Sequence, residues 1–378
     1  METYRHIEPV LNAQVTALCD AVIFTGDAMV EGHALLLKDG KILDIVRPSN
    51  LPAEAIKTSF PEHILTAGFI DLQVNGGDNL LFNNTPTAET CIAIANAHAK
   101  HGTTRLLPTI ITDKPETTEA ALQAVRAARK ICPHILGIHI EGPHLDVERR
   151  GVHKASYIRP IEKKDLDLYQ RHGDEVMLMT VAPENVTTEQ IKILKKQGVT
   201  VSLGHTNASP DIIKSALAAG ATGFTHLFNA MGKPSPNGTT PADTALKDKT
   251  SWCGIIADGF HVPKDMFQLA LKSKPRGKVF LVSDAMPCTA TDNPKAFQLY
   301  GETIKAEGGR CVNAEGKLAG SAITLADAIH ITVNVFGVEL EEALRMASLY
   351  PATFLGIHGH FGKLLPGYMA EVVAIKNI

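Results

Sequence analysis

The chain has 378 residues, of which 44% are hydrophobic and 20% are charged, and its formal net charge is −3. This composition is typical of a globular protein with one large α/β domain or two smaller ones, and it provides no basic surface for nucleic acid or an anionic membrane. No apolar run approaches the ~18 residues of a membrane span, the N-terminus lacks a signal-peptide apolar region, and the six cysteines include no C-x-x-C pair, so we expect a cytoplasmic protein with reduced thiols.

The first predicted elements are short β-strands. Residues 17–65 contain the strand-like pieces AVIFTG and HALLLKDGKILDIV, and the Asp39-Gly40 pair in the second piece is a hairpin signal. The C-terminal tail, FGKLLPGYMAEVVAIKNI, has the pattern of another hairpin. We therefore predict that residues 1–65 and 357–378 pair into one small β-sandwich domain that flanks the rest of the chain.

Residues 66–356 alternate between short apolar runs and helical periodicity. Eight strand-like runs lie at residues 69–74, 104–110, 135–141, 176–182, 200–205, 222–227, 251–258 and 278–284. Helix-like segments lie between most of them, at residues 87–100, 117–130, 187–197, 209–219 and 263–273. This alternation predicts an α/β fold with a (β/α)8 TIM-like barrel. A doubly wound open sheet is the alternative, but no Gly-rich dinucleotide or phosphate loop follows the first strand.

Local signals refine three of the predicted segments. The TTEQ stretch at 187–190 fits a helix-starting capping box, and the TTEA stretch at 117–120 offers a threonine cap. After the eighth strand, the Gly-rich turns of residues 298–321 predict a hairpin excursion, and residues 324–356 have a helical pattern.

Polar residues with ligand or acid–base chemistry close the predicted barrel strands. They are Gln73, Asn75, His139, Glu141, His205, His226, Asp258, His261 and Asp284. Barrel enzymes keep their active sites at the carboxyl ends of the strands, so we expect these side chains to meet at one rim. A lone histidine of this kind is usually a packed core residue, but several strands that present such groups at one end indicate a site.

Three of these residues suit a divalent metal. Glu141, His205 and His226 are ligand types that zinc prefers, and three protein ligands leave one coordination position open for water. Asp284 is then free to act as general base toward that water. The set predicts metal-assisted hydrolysis or deamination. For His139 we expect packing inside the barrel, and for Asp71 a structural hydrogen bond.

Seven motifs resemble, in order, those of the N-acetylglucosamine-6-phosphate deacetylase family of the amidohydrolase superfamily. They are GFIDLQVNGG, GIHIEGPHL, SLGHTNA, THLFNAM, GIIADGFHV, LVSDAM and LAGSAIT. The resemblance implies a metal-dependent barrel that hydrolyses the acetamide of an amino sugar phosphate to an amine and acetate. It implies that Glu141, His205 and His226 hold the metal and that Asp284 activates water and then protonates the departing amine.

The resemblance also implies substrate contacts and a homodimer. The implied substrate-binding residues are His153, Asn229, Ala230, His261, Ala319 and Gly320. Gln73 and Asn75 stand where much of the superfamily has a His-x-His pair for a second metal, and neutral amides are poor ligands for zinc-like ions. We therefore expect one divalent ion per chain, zinc before Fe, Co, Mn or Ni, with both amides as hydrogen-bond partners around it.

A second departure concerns the phosphate. After the Asn-Ala-Met motif the family carries an arginine that reaches the substrate phosphate, whereas this chain has Asn237 at that position. Loss of a bidentate guanidinium should weaken a phosphate site, and Lys233 offers only a point charge. The galacto epimer and a non-phosphorylated sugar therefore stay open as substrates. So do another N-acyl or cyclic amide substrate and a non-catalytic sugar-binding role.

Overall fold

The computed structural model describes residues 4–7 and 14–376. Its first eight strands are β1 (Tyr4–Ile7), β2 (Thr16–Cys19), β3 (Val22–Phe24), β4 (Met29–Val30), β5 (Ala34–Lys38), β6 (Lys41–Val46), β7 (Ile56–Ser59) and β8 (Ile64–Ala67). Together with the last strand, β23 (Val372–Ile375), they form two sheets, with strand orders β1-β23-β8-β3-β4 and β6-β5-β2-β7. Buried side chains of both sheets share one apolar cluster, so the flanking unit is the predicted β-sandwich.

Two hairpin predictions in this sandwich have different outcomes. The β5–β6 hairpin is confirmed, because Asp39 and Gly40 both have positive φ angles, as its two-residue turn requires. The predicted C-terminal hairpin is wrong. The described part of the tail forms the single strand β23, which pairs antiparallel with β8 on one edge and β1 on the other. Because both edges are taken by strands from the N-terminal part of the chain, β23 has no free edge for a local partner.

The central sheet is the predicted barrel. Its eight parallel strands are β9 (Phe69–Val74), β12 (Thr103–Ile111), β13 (Gly137–Glu141), β14 (Val176–Val181), β15 (Thr200–Leu203), β16 (Gly223–Phe224), β17 (Trp252–Ile256) and β18 (Val279–Val282), with the two-residue strands β10 (Gly76–Gly77) and β11 (Leu80–Leu81) after β9. Each barrel strand pairs with the next one in sequence, and a parallel bridge between Val74 and Ala285 brings the last strand to the first. A doubly wound sheet would reverse its strand order, so that alternative is excluded.

Helices cover the outside of the barrel. They are α1 (Ala88–Ala99), α2 (Pro115–Ala128), α3 (Lys163–Leu168), α4 (Thr188–Lys196), α5 (Pro210–Ala219), α6 (Pro241–Lys247), α7 (Lys264–Ser273), α8 (Leu325–Asn334), α9 (Leu340–Ala347) and α10 (Leu349–Phe354). Short 3-10 turns lie at Pro48–Asn50, Phe82–Asn84, Val147–Arg149 and Ala155–Tyr157. Among the described residues, no helix has the length and apolar character to cross a membrane.

The predicted capping signal is confirmed at the start of α4 and is wrong at the start of α2. Thr187 and Gln190 form the predicted capping box of α4, each side chain bonded to the other residue's backbone N–H. The threonine cap at 117–120 is wrong, because α2 begins two residues earlier, at Pro115. Proline at the first helical position has its φ angle preset for a helix, so it sets the start here. Helices α3 and α6 were not predicted.

The predicted excursion after β18 is an antiparallel meander, which we call the rim meander (residues 297–321). Its strands are β19 (Phe297–Leu299), β20 (Glu302–Glu307), β21 (Arg310–Val312) and β22 (Leu318–Ser321). A parallel bridge joins Ser321 to Ala285, and the Ser321 N–H donates to the Asp284 carbonyl at 2.9 Å. The meander is therefore attached to the barrel rim beside Asp284.

Candidate active site

Glu141, His205 and His226 meet at the carboxyl ends of β13, β15 and β16. All three are buried, and their ligand atoms lie within 4.8 Å of one another. The Oε1 atom of Glu141 is 3.2 Å from Nε2 of His205 and 2.9 Å from Nε2 of His226. The two imidazole nitrogens are themselves 3.0 Å apart. One carboxylate and two imidazoles aimed at one point are a donor set for a zinc-like ion.

The orientation of His205 supports this interpretation. Its Nδ1 lies 2.8 Å from the Arg149 carbonyl oxygen, to which the Nδ1–H donates. This tautomer leaves the lone pair of Nε2 directed at Glu141, as in metal sites where a second hydrogen bond fixes the ligand. His205 and His226 also have positive φ angles, 47° and 32°. Strained backbone of this kind in residues other than glycine concentrates at functional sites.

Electrostatics in the cluster favour an ionised Glu141. Burial opposes the charge, but the adjacent imidazoles of His205 and His226 hold the pKa of Glu141 well below its usual value. Burial and the negative charge of Glu141 raise the pKa of Asp284 to about 6. A raised pKa makes the Asp284 carboxylate more basic, which suits a general base.

Gln73 and Asn75 contact the two carboxylates. The Gln73 Nε2 donates to Glu141 Oε2 at 3.1 Å, and the Asn75 Nδ2 donates to Asp284 Oδ1 at 2.7 Å. The Asn75 side-chain oxygen is buried and has no hydrogen-bond partner within the described residues. The amide pair at the end of β9 thus orients one residue of the candidate metal cluster and the candidate base.

A cavity of about 180 Å³ opens above this cluster. The predicted site residues that line it are Asn75, Glu141, His153, His205, His226, Asn229, Ala230, His261, Asp284 and Gly320. Ala319 does not line it, because its side chain is fully buried in the apolar cluster of Met286 and Cys311, and its contact with a substrate stays a prediction. Successive side chains of a strand point to opposite faces, so Leu318 and Gly320 reach the cavity and Ala319 cannot. Gln73 lies behind Glu141.

His153 lies in the cavity wall, and its imidazole is neutral. Its Nδ1 is 2.8 Å from Thr112 Oγ1, and its Nε2 is 4.0 Å from Glu141 Oε2. Burial, followed by the nearby His205, lowers the pKa of His153 to about 3. It can therefore hydrogen-bond to a neutral group of a substrate without adding charge.

Comparisons with known proteins agree with this geometry. Residues 64–377 match the amidohydrolase family, and residues 16–60 match the NagA composite domain. The chain belongs to the amidohydrolase family. It is 38% identical to an N-acetylgalactosamine-6-phosphate deacetylase of Shewanella sp. (strain ANA-3), covering 94% of this chain and 91% of that protein. It is 35% identical to the N-acetylglucosamine-6-phosphate deacetylase of Haemophilus influenzae, covering 94% of each.

A solved amidohydrolase structure shares the whole architecture. The crystal structure of N-acetylglucosamine-6-phosphate deacetylase from Pasteurella multocida superposes with a TM-score of 0.91 at 34% identity, covering 96% of each chain. The family resemblance of the seven motifs is therefore confirmed, and so is the barrel with its flanking β-sandwich. The domain limits at residues 65/66 and 356/357 stay a prediction.

One residue of this amidohydrolase site was not singled out from the sequence for a role. Asp258, after β17, accepts hydrogen bonds from the backbone N–H groups of Phe260 and His261 and lies 2.6 Å from His261 Nδ1. It holds the His261 ring against the cavity wall. The Asp-x-x-His spacing was the available signal, but only the sharp turn of the backbone shows that the two side chains meet.

Two other sequence-based interpretations agree with the structure. His139 points into the barrel, where its ring nitrogens meet the hydroxyls of Thr109 and Thr180 at 3.2 Å and 2.8 Å. Asp71 Oδ1 accepts hydrogen bonds from the N–H groups of Gln73 and Ser283, both at 3.2 Å. Both are structural contacts below the rim.

The loop that follows the Asn-Ala-Met motif offers no guanidinium. Asn237 and Lys233 are exposed, and neither side chain forms a hydrogen bond or ion pair with any described residue. Asp243 organises the loop by accepting hydrogen bonds from Ser235 and Thr240. Neither Asn237 nor Lys233 lines the cavity.

Proposed function

We propose that this protein hydrolyses the acetamide of an N-acetylated hexosamine 6-phosphate, with N-acetylglucosamine 6-phosphate as its main substrate. The products are the amino sugar 6-phosphate and acetate. The observation that carries the proposal is the convergence of Glu141, His205 and His226 within 4.8 Å, in one cavity with Asp284. The named activities of the Haemophilus influenzae and Pasteurella multocida relatives support the substrate class.

One divalent ion per chain, zinc in our proposal, completes the site. When bound, it polarises the acetyl carbonyl and makes water a better nucleophile. Glu141, His205 and His226 hold it, and Gln73 keeps the carboxylate of Glu141 in position. The amides of β9 are poor ligands for such an ion, so we propose a single metal.

Asp284 moves the proton. Its carboxylate takes a proton from the attacking water as the water oxygen bonds to the acetyl carbon. The protonated Asp284 then donates to the sugar nitrogen as the C–N bond breaks, which releases the amine and acetate. The Asn75 N–H fixes one oxygen of Asp284, so the other oxygen is free for proton transfer.

Cavity-wall residues position the sugar. We assign His153, Asn229, Ala230 and His261 to substrate contacts, because all four line the cavity. Gly320 lets the strand approach closely: its φ is 75°, and a Cβ there would overlap the Met286 side chain. The meander backbone can therefore pack closely on Met286, which also lines the cavity.

The galacto epimer is a second candidate substrate. The Shewanella relative, which is named for N-acetylgalactosamine 6-phosphate, is 38% identical to this chain. The Haemophilus relative, which is named for N-acetylglucosamine 6-phosphate, is 35% identical. Epimer choice depends on one hydroxyl at C4, which a few wall residues decide.

Steady-state kinetics on four sugars tests the proposal. N-acetylglucosamine and N-acetylgalactosamine, each with and without the 6-phosphate, are assayed for acetate release by the metal-loaded protein. We expect the highest kcat/KM for N-acetylglucosamine 6-phosphate. No acetate release from any of the four would contradict the proposal, and a metal-free protein that binds sugar would indicate a sensor.

We also propose a cytoplasmic homodimer. Light scattering of the 40.6 kDa chain in solution should then give twice that mass. A monomer would contradict the proposed assembly without affecting the proposed chemistry.

A further inference from the structure

Resting on the proposed function, we propose that Arg310 is the residue that recognises the 6-phosphate of the substrate. The cation would then come from the rim meander of the same chain, in place of the arginine that position 237 lacks. Four observations support this assignment: the register of the meander, the contact of Arg310 with Phe260, the absence of a partner for its guanidinium, and the direction in which a substrate must lie.

The register of the meander places Arg310 beside the cavity wall. Arg310 begins β21 and pairs directly with Ser321 of β22. The neighbouring β22 residues Leu318 and Gly320 line the cavity. Paired residues of antiparallel strands have their side chains on the same face. A register shift lies between this pair and the next one, Val312–Leu318, and Arg310 and Val312 share one face of β21, so Arg310 lies on the side of Leu318.

Phe260 marks where the guanidinium lies. The Cζ atom of Arg310 is 5.1 Å from the Phe260 ring centroid, within the range of a cation–π contact. Phe260 directly precedes His261, whose side chain lines the cavity and is held by Asp258. Phe260 is itself 44% exposed, so the stacked pair lies at the open rim of the site.

The guanidinium of Arg310 has no polar partner among the described residues. It forms no ion pair with any described residue, and its buried Nε has no hydrogen-bond partner among them. The other arginines near the site are engaged: Arg149 donates to Asn207, and Arg150 donates to the His153 carbonyl. Lys317 is paired with Glu315. An arginine without a polar partner among the described residues, with a buried Nε and one face on an aromatic ring, is suited to bind an external anion through its exposed N–H groups.

The reaction requires the acetamide end of the substrate to lie deepest in the cavity. The acetamide must lie against Asp284 and the Glu141–His205–His226 cluster at the bottom of the cavity. In the proposed binding mode the hexose extends toward the rim, and its charged substituent lies at the wall of His261 and Gly320. Arg310 lies next to that wall through its contact with Phe260 and forms no ion pair with any described residue, whereas Asn237 carries no charge.

Arg310 could also serve only to pack the meander on Phe260. The two roles predict different kinetics. A packing role would affect all substrates equally, whereas a phosphate contact affects only phosphorylated ones.

The test compares Arg310→Gln and Arg310→Lys with the unaltered metal-loaded enzyme, on N-acetylglucosamine with and without the 6-phosphate. We expect kcat/KM for the phosphorylated sugar to fall about 10- to 100-fold in Arg310→Gln, mostly through KM, because one charge-assisted contact is lost. Arg310→Lys should recover part of the loss. The non-phosphorylated sugar should react at the same rate in all three proteins, and competitive inhibition by inorganic phosphate should weaken in parallel.

Arg171→Gln is the matched control. Arg171 is exposed and forms no ion pair with any described residue, so its loss changes net charge equally but should leave both substrates unaffected. Equal losses on both sugars, an unchanged preference for phosphate, or no preference in the unaltered enzyme would each overturn the role of Arg310. Deacetylation itself would still stand in those cases. If no sugar is deacetylated, the proposed function fails instead.

Discussion

At the residue scale, Gln73 and Asn75 hold the two carboxylates of the candidate metal site in position. Each donates its amide N–H to a different carboxylate, Glu141 or Asp284. Their position and their unsuitability as zinc ligands could be predicted from the β9 sequence alone. Their bonding partners could not, because they lie 68 and 209 residues away and reach them only once the barrel closes.

Replacing Asp284 by Asn should reduce kcat by about 10²- to 10⁴-fold, because the site loses its proton acceptor. Metal content should stay near that of the unaltered protein, since Asp284 is outside the Glu141–His205–His226 set. Acetate release and elemental analysis of the same preparation provide both values. Glu141→Gln is the contrasting variant and should lose metal as well. Substantial activity in Asp284→Asn would show that another group is the base.

Elemental analysis of the protein purified with excess divalent ion should find close to one ion per chain. The reason is that β9 presents two amides where a second ion would need imidazoles. A ratio near two would mean that Gln73 and Asn75 do not limit the site as we propose.

At the element scale, the local start signals behave as backbone chemistry predicts. Thr187 caps α4 through a reciprocal pair of bonds with Gln190, whereas α2 begins at a proline and not at the nearby threonine. The capping box could be read from four residues because both of its partners lie within one turn. The position of β23 as a single strand between β8 and β1 could not, because these partners come from the other end of the chain.

Thr187→Ala should lower the free energy of unfolding by about 1 kcal/mol, because the N–H of Gln190 loses its acceptor. Activity should not change, since α4 lies outside the cavity. Urea unfolding followed by circular dichroism measures the effect. Thr188→Ala, one residue further on and equally exposed, is the control and should change stability by less than about 0.5 kcal/mol. Equal effects of the two substitutions would refute the capping role.

At the scale of the whole molecule, the barrel buries several neutral histidines. Burial lowers the pKa of His98 to about 4, and also that of His144 to about 4. The Nε2 of His98 lies 3.0 Å from the Gly76 carbonyl oxygen, and the Nδ1 of His144 lies 3.0 Å from that of Arg159. Both are outside the candidate metal cluster, so their protonation affects the stability of the fold and not the metal ligands.

Stability should therefore fall in acid. An unfolded histidine titrates near 6.5. Between about pH 6.5 and 4 the unfolded chain binds more protons than the folded one, so the free energy of unfolding falls as pH drops through this window. Each of the two histidines contributes up to about 3 kcal/mol to the loss. Urea unfolding at several pH values measures it.

A variant isolates the contribution of one ring. His98→Gln can still donate to a carbonyl but does not titrate, so its stability should depend less steeply on pH in this window. His358→Gln, at an exposed position, should keep the slope of the unaltered protein. Identical slopes for all three proteins would contradict the role of His98.

The sequence by itself determined the alternation of strands and helices, the reactive residues at the strand ends and the family. These are short-range properties, because side-chain periodicity and motif spacing are set within a few residues of backbone. Only the tertiary structure decided that β23 lies between β8 and β1, that Ala319 turns away from the cavity, and that Arg310 stacks on Phe260. Those contacts join distant parts of the chain, so they depend on how the barrel closes and on which face each strand presents to it.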